Sequence, residues 1–196
     1  MIDVFLCSCA ADGDWIRRGL LTAVQQRWSD MPNVKLWPYY HWQILSSKSL
    51  MQYQGMRRTM VESQATSPIY IMAEDDVMPW GPDFVERGVA VLNRHPEFAV
   101  LSPLLFPFPE KPTMWEDDEC YEGITSGGIN FTRKGVMADM QVPENELFDE
   151  SSQAGWLKRH GWKTGWMKKV RALHLGAGHS TIWPEPYTGV TQIVEP

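Results

Sequence analysis

The stretch IYIMAEDDVMP, from Ile69 to Pro79, joins a buried strand to a cluster of charge. Ile69, Tyr70, Ile71 and Met72 form a short, continuous apolar run, which reads as a strand covered on both faces. Such strands belong to proteins in which helices pack on both sides of a parallel sheet. Ligands of open α/β sheets bind beyond the carboxyl ends of those strands. Glu74, Asp75 and Asp76 stand at that end, and Pro79 closes the stretch. Three adjacent carboxylates repel one another and resist burial unless something positive joins them. A hard divalent cation, Mg2+ or Mn2+, is the natural partner, because it prefers carboxylate oxygen and keeps positions open for phosphate. A solvated acidic turn after a strand is the plainer alternative, and spacing alone does not separate the two.

The chain around this stretch has 196 residues, enough for one domain with a real core, and its 43% hydrophobic content excludes wholesale disorder. A net charge of −6 gives no general pull toward nucleic acid or anionic lipid. Cys7, Cys9 and Cys120 are odd in number and show neither a disulfide framework nor zinc-ligand spacing, so a reducing, cytoplasmic setting is expected. No apolar run approaches the roughly 20 residues that span a bilayer. No transmembrane anchor is therefore expected, and the start, MIDVFLCSCAADGD, lacks a basic leader and meets acid at once, so it does not read as a signal peptide. Several of the ten tryptophans are candidates for stacking on sugars or bases.

Taken in order, Ile2 to Cys9 reads as a buried first strand and Ala10 to Asp14 as a loop. Trp15 to about Trp28 reads as a helix, with Ile16, Leu20, Leu21, Val24 and Trp28 at helical spacing. Val34 to Trp37 reads as a second strand ended by Pro38, completing a βαβ unit. Leu50 to Ala65 and Pro82 to Asn93 read as helices, and Phe98 to Ser102 as a strand. Pro103 to Glu119 is proline-rich and reads as a long loop. Tyr121 to Thr132 is strand-like with Gly127-Gly128 in its middle, and paired glycines let a backbone or ligand approach closely. Arg133 to Met140 reads as a short helix. Ser151 to His160 reads as a helix closed by Gly161. Trp162 to Met167 and Lys169 to Leu173 read as two extended pieces.

Four local patterns in this order resemble the GT-A-fold glycosyltransferases, most closely glycosyltransferase family 2. They are the N-terminal strand and loop VFLCSCAADGD, and the triplet Glu74-Asp75-Asp76, similar to an Asp-x-Asp motif. Then come Thr125-Ser126-Gly127-Gly128 with INFTRKGV, and Asp149-Glu150 followed by a helix, Gly161-Trp162 and His174-Leu175-Gly176. The resemblance covers nearly the whole chain. It implies a single Rossmann-like GT-A domain over residues 1–196, with a central mixed, mostly parallel sheet flanked by helices. The implied activity is sugar transfer from a UDP- or GDP-sugar to an acceptor hydroxyl, with Mn2+ or Mg2+. Glycan, small molecule, protein and modified DNA base all stay open as acceptor.

The same resemblance assigns roles. Asp76 matches the acid that contacts the metal, and His174 the further metal ligand, with His179 as its competitor. Glu74 is expected to touch the ribose or sugar or to hold water on the metal, and Asp75 to bond donor hydroxyls. Ser8, Ala10 and Asp12 lie in the matching N-terminal strand and loop, as donor-binding residues, and Gly127 and Gly128 in the matching sugar pocket. Asp149 or Glu150 is the expected general base, since a carboxylate within hydrogen-bond reach suffices to take an acceptor proton. Arg57 and Arg58 can brace the acidic triplet or the diphosphate, or form a solvated helix face. Lys158, Arg159, Lys163, Lys168, Lys169 and Arg171, interleaved with Trp156, Trp162 and Trp166, form a basic stretch that can meet an anionic acceptor or stay solvated.

Overall fold

The structure, a computed structural model, describes residues 1–8, 15–40, 61–74, 76–106, 119–126, 128–141 and 150–175. Strand β1 (Ile2–Ser8) leads into helix α1 (Trp15–Ser29) and strand β2 (Val34–Tyr40). After the helical residues 61–64 come β3 (Ile69–Glu74), β4 (Val77–Pro79) and helix α2 (Phe84–Arg94). The chain continues through β5 (Phe98–Phe106), β6 (Cys120–Glu122), β7 (Ile129–Arg133), helix α3 (Glu150–Arg159) and β8 (Lys163–His174).

These strands form one sheet in the order β2-β1-β3-β7-β5-β8-β4, with β6 also on β8. β1, β2, β3, β5 and β8 run one way, and β4, β6 and β7 the other. The sheet is therefore mixed and largely parallel, flanked by helices, as expected of a Rossmann-like GT-A arrangement. Side chains alternate across it. Val4, Leu6, Ile69 and Ile71 pack in one apolar layer with Trp28 of α1 and Phe84 and Leu92 of α2. Phe5, Tyr70 and Met72 pack in the other with Val61, Met137 and Leu157 of α3. Helices thus cover both faces, which is why Ile69 to Ala73 are all buried and show no polar alternation. Among the described residues no helix is long and apolar enough to cross a membrane.

Several boundaries differ from the sequence expectation. β2 runs through Pro38 to Tyr40, because it lies at the sheet edge, where a missing N–H costs no ladder bond. β5 runs through Pro103 to Phe106; its register on β8 jumps from Pro103↔Met167 to Leu104↔Arg171, and the irregularity absorbs the proline. The same jump explains why Trp162 to Leu173 reads as two pieces, although β8 is one strand. Tyr121 to Thr132 is two strands, β6 and β7, with Gly128 in the connection between them. Residues 134–139 are turns and not the expected helix, and Gly135 has a φ of +94°, incompatible with helical continuation. The expected loop at 10–14 and most of the helix from Leu50, including Arg57 and Arg58, lie outside the described residues.

Candidate metal centre

Alternation along β3 puts Tyr70 and Met72 in the layer covered by α3, and Glu74 is next in that series. The chain turns at Asp76 and enters β4, which pairs antiparallel with the end of β8, Val77 opposite His174. Leu175 N–H donates to the Asp76 carbonyl at 2.7 Å and closes this pairing. Trp28 Nε1 donates to the Val77 carbonyl at 3.1 Å, so α1 pins the turn through the apolar layer. Two strand ends far apart in the sequence, at Asp76 and His174, are thereby set side by side.

The result is a cluster of Glu74, Asp76 and His174. Each offers one ligand atom, and these atoms lie within 4.8 Å of one another. His174 Nε2 is 3.6 Å from Asp76 Oδ2. Asp76 is buried, and Glu74 and His174 are half-buried. Two carboxylate oxygens and one imidazole nitrogen suit a divalent ion such as Mn2+. Partial burial of two neighbouring carboxylates is unfavourable without a positive partner, which such an ion would supply. The residues therefore fit a cation.

The expected site residues separate as follows. The structure brings together Asp76, His174 and Glu74. Ser8 ends β1, one residue beyond the Cys7↔Glu74 pair, so its backbone lies at the same edge of the sheet. Glu150 is the half-buried first residue of α3, which packs through Gln153 and Leu157. Leu157 belongs to the apolar layer on the face that Tyr70, Met72 and Glu74 share. Gly128 accepts a 2.8 Å hydrogen bond from Glu74 N–H at its carbonyl. A Cβ at Gly128 would lie 3.3 Å from Val77 Cγ2 and 3.7 Å from His174 Cδ2, so Gly128 stands beside the cluster. Ala10, Asp12, Arg57, Arg58, Asp75, Gly127, Asp149 and His179 lie outside the described residues.

In the basic stretch, Trp156 and Trp162 pack against an apolar layer, and Trp166 Nε1 donates to the Ile124 carbonyl at 2.6 Å. Lys163 is 3.5 Å from Glu122. Sequence reasoning missed Ser102 and Asn130, buried polar residues that hydrogen-bond one another at 2.6 Å behind the cluster. The signal for Asn130 was an amide between Ile129 and Phe131 in a strand that is otherwise core.

No family profile and no curated protein matches the chain. Solved structures do. The structure is similar to S. aureus TarS 1–349 in complex with UDP-GlcNAc (TM-score 0.55, 11% identity, 99% of this chain and 65% of that one). It is also similar to the mannosyltransferase PcManGT from Pyrobaculum calidifontis in complex with GDP-Man and Mn2+ (TM-score 0.59, 9% identity, 94% and 58%). A third likeness is CMP:2-keto-3-deoxy-manno-octonic acid synthetase complexed with CTP (TM-score 0.53, 13% identity, 99% and 98%). The chain spans about 60% of the length of the TarS fragment it matches. At these identities the likeness is one of fold, shared by proteins solved with UDP-GlcNAc, with GDP-Man and Mn2+, and with CTP.

Proposed function

We propose that this chain is a metal-dependent glycosyltransferase, one domain over residues 1–196, that moves a sugar from a UDP- or GDP-sugar to an acceptor hydroxyl. The observation that carries the reading is the convergence of Glu74, Asp76 and His174 at the carboxyl edge of the sheet. Asp76 and His174 would hold Mn2+ or Mg2+, with Glu74 beside them. When bound, the ion supplies Lewis-acid neutralisation of the charge that builds on the departing diphosphate. Asp75 and the loop carrying Ser8, Ala10 and Asp12 bind the donor, with Gly127 and Gly128 at its sugar. Arg57 and Arg58 brace the diphosphate. Asp149 or Glu150 accepts the proton of the incoming hydroxyl, at the N-terminus of α3 where the helix dipole favours a carboxylate. One base opposite the leaving group gives inversion through an oxocarbenium-like transition state. The acceptor is a glycan, a small molecule, a protein or a modified DNA base, and the setting is cytoplasmic.

The near-complete overlap with the synthetase favours a second reading, nucleotidyl transfer from a nucleoside triphosphate at the same centre. One experiment separates them. Nucleotide sugars and nucleoside triphosphates are screened by thermal shift with and without Mn2+, and stabilising ligands are then assayed for turnover. Transfer or slow hydrolysis that releases nucleoside diphosphate supports the glycosyltransferase. Pyrophosphate release from a triphosphate with a sugar acid supports the alternative. Asp76→Asn is expected to abolish the Mn2+-dependent shift and to cut turnover at least about a hundredfold, the scale of several kcal/mol of lost charge stabilisation. A folded Asp76→Asn protein with normal turnover refutes the metal assignment.

A further inference from the structure

Behind the ligand atoms, a buried polar ring joins segments far apart in the chain. Ser126 N–H donates to Ser102 Oγ at 2.9 Å, Ser102 Oγ–H donates to Asn130 Oδ1 at 2.6 Å, and Asn130 Nδ2 donates to the Ser126 carbonyl at 2.9 Å. Ser102 and Asn130 are 0% and 1% exposed. The direction of each bond follows from the others. The Ser126 carbonyl can only accept, so the Asn130 amide nitrogen faces it; the Asn130 oxygen then faces Ser102, whose hydroxyl donates to it while accepting from Ser126 N–H. Both backbone groups of Ser126 are fixed at once.

From Ser126 the constraint reaches the cation centre in two steps. Ser126 Oγ accepts from Gly128 N–H at 2.9 Å, and the Gly128 carbonyl accepts from Glu74 N–H at 2.8 Å. The Cβ position of Gly128 faces the His174 ring, 3.7 Å from its Cδ2, and Val77, the residue after Asp76, at 3.3 Å. The connection between β6 and β7 therefore bonds to Glu74 and runs beside His174 and Val77, with no more than the room of one added carbon between them.

We propose that Ser102 and Asn130 are positioning residues of the cation centre, holding Glu74 and His174 at ligand distance through Ser126 and Gly128. An apolar pair would fill the same buried space without the desolvation cost of an amide and a hydroxyl, so the ring is explained by what it aims. This inference depends on the cation-centre reading, and its test is built so that the two fail differently.

Mn2+ affinity and metal-free unfolding temperature are measured in parallel on the full chain. The variants are Ser102→Ala, Asn130→Asp, their double, Asp76→Asn, and Thr132→Val. Thr132 is buried on β7 like Asn130 but lies opposite Tyr70, farther from the Gly128 connection. Ser102→Ala and Asn130→Asp are each expected to weaken Mn2+ binding about tenfold to a hundredfold, the usual cost of losing a group that orients a metal ligand. The double variant is expected to lose less than the product of the two factors, because both break one ring. Thr132→Val is expected to shift the unfolding temperature and leave Mn2+ affinity alone. Should Asn130→Asp fail to fold, Ser102→Ala, which deletes one hydroxyl, decides. A Ser102→Ala protein that melts lower but binds Mn2+ like the wild type overturns the proposal and leaves the ring as scaffolding. A wild type that binds no Mn2+ overturns the cation centre, and the positioning role with it.

Discussion

Asp3, 2% exposed on β1, accepts hydrogen bonds from Trp37 Nε1 at 2.8 Å, from Thr66 N–H at 2.6 Å and its hydroxyl at 2.8 Å, and from Ser67 N–H at 2.8 Å. Burial pushes its pKa up, but the bonds from Trp37, Thr66 and Ser67 outweigh it and hold the carboxyl well below the usual carboxylate range. The folded pKa lies below the unfolded one, so the folded state binds fewer protons in between. Asp3 therefore stabilises fully above the unfolded pKa near about 4, and less as pH falls from there toward the folded value. Asp3→Asn is expected to cost about 2–3 kcal/mol at neutral pH, the scale for hydrogen bonds to a charged, buried group. In urea titrations that difference is expected to shrink progressively below about pH 4; a difference constant down to about pH 2.5 contradicts the account. At this scale the sequence singled out Glu74, Asp76 and His174, which the structure brings together, and hid the buried polar residues around them. Glu74, Asp76 and His174 stand at strand ends beside turn residues, where local pattern is informative. Ser102 and Asn130 meet across β5 and β7, and Asp3 meets Thr66 and Ser67 across β1 and the approach to β3. Nothing in a local window announces a bond between residues so far apart in the chain.

Helix α2 offers a case in which two element-level rules disagree about sign. Gly88 sits on its buried face, and a Cβ there would lie 2.3 Å from the Phe131 ring. By helix propensity, alanine in place of an interior glycine stabilises by about 1 kcal/mol. By packing, Phe131 is 0% exposed and wedged against Phe84, with ring centroids 5.4 Å apart, so it has no room to retreat. Overpacking of this kind costs ~1–3 kcal/mol and outweighs propensity. Gly88→Ala is therefore expected to lower the unfolding temperature, and Phe131→Leu in the same chain to recover part of the loss. A Gly88→Ala protein that melts higher refutes the packing argument. The same contest decided which boundaries were readable. The cores of β1, β3, α1 and α2 were legible, because apolar periodicity is set by burial on the sheet. The ends of β2 and β5 were not, because Pro38 and Pro103 are strand breakers by local rule. One is tolerated at the sheet edge and the other at a register irregularity, both properties of pairing partners.

At the scale of the whole molecule, charge would give the proposed cation a second task. The chain carries −6 overall, and the carboxyl edge of its sheet presents Glu74 and Asp76. The nucleoside diphosphate proposed above would bring further negative charge to that edge. Like charges a few ångströms apart repel by about 1 kcal/mol or more even in water, and by more near a protein surface. Without a cation the field opposes the ligand; one seated among Glu74, Asp76 and His174 would cancel the two carboxylate charges and set a positive point within reach of the diphosphate. Salt screens either interaction. The two states are therefore expected to respond to ionic strength in opposite directions. Calorimetric titration of UDP and GDP should show binding that weakens with added salt when Mn2+ is present. In chelator the same titration should show binding at least about tenfold weaker, strengthening with salt as repulsion is screened. If binding in chelator also weakens with salt, basic side chains already outbid the acidic edge, and Arg57 and Arg58 become the first to substitute. In that case the diphosphate is held by the protein, and the cation serves only the departing charge.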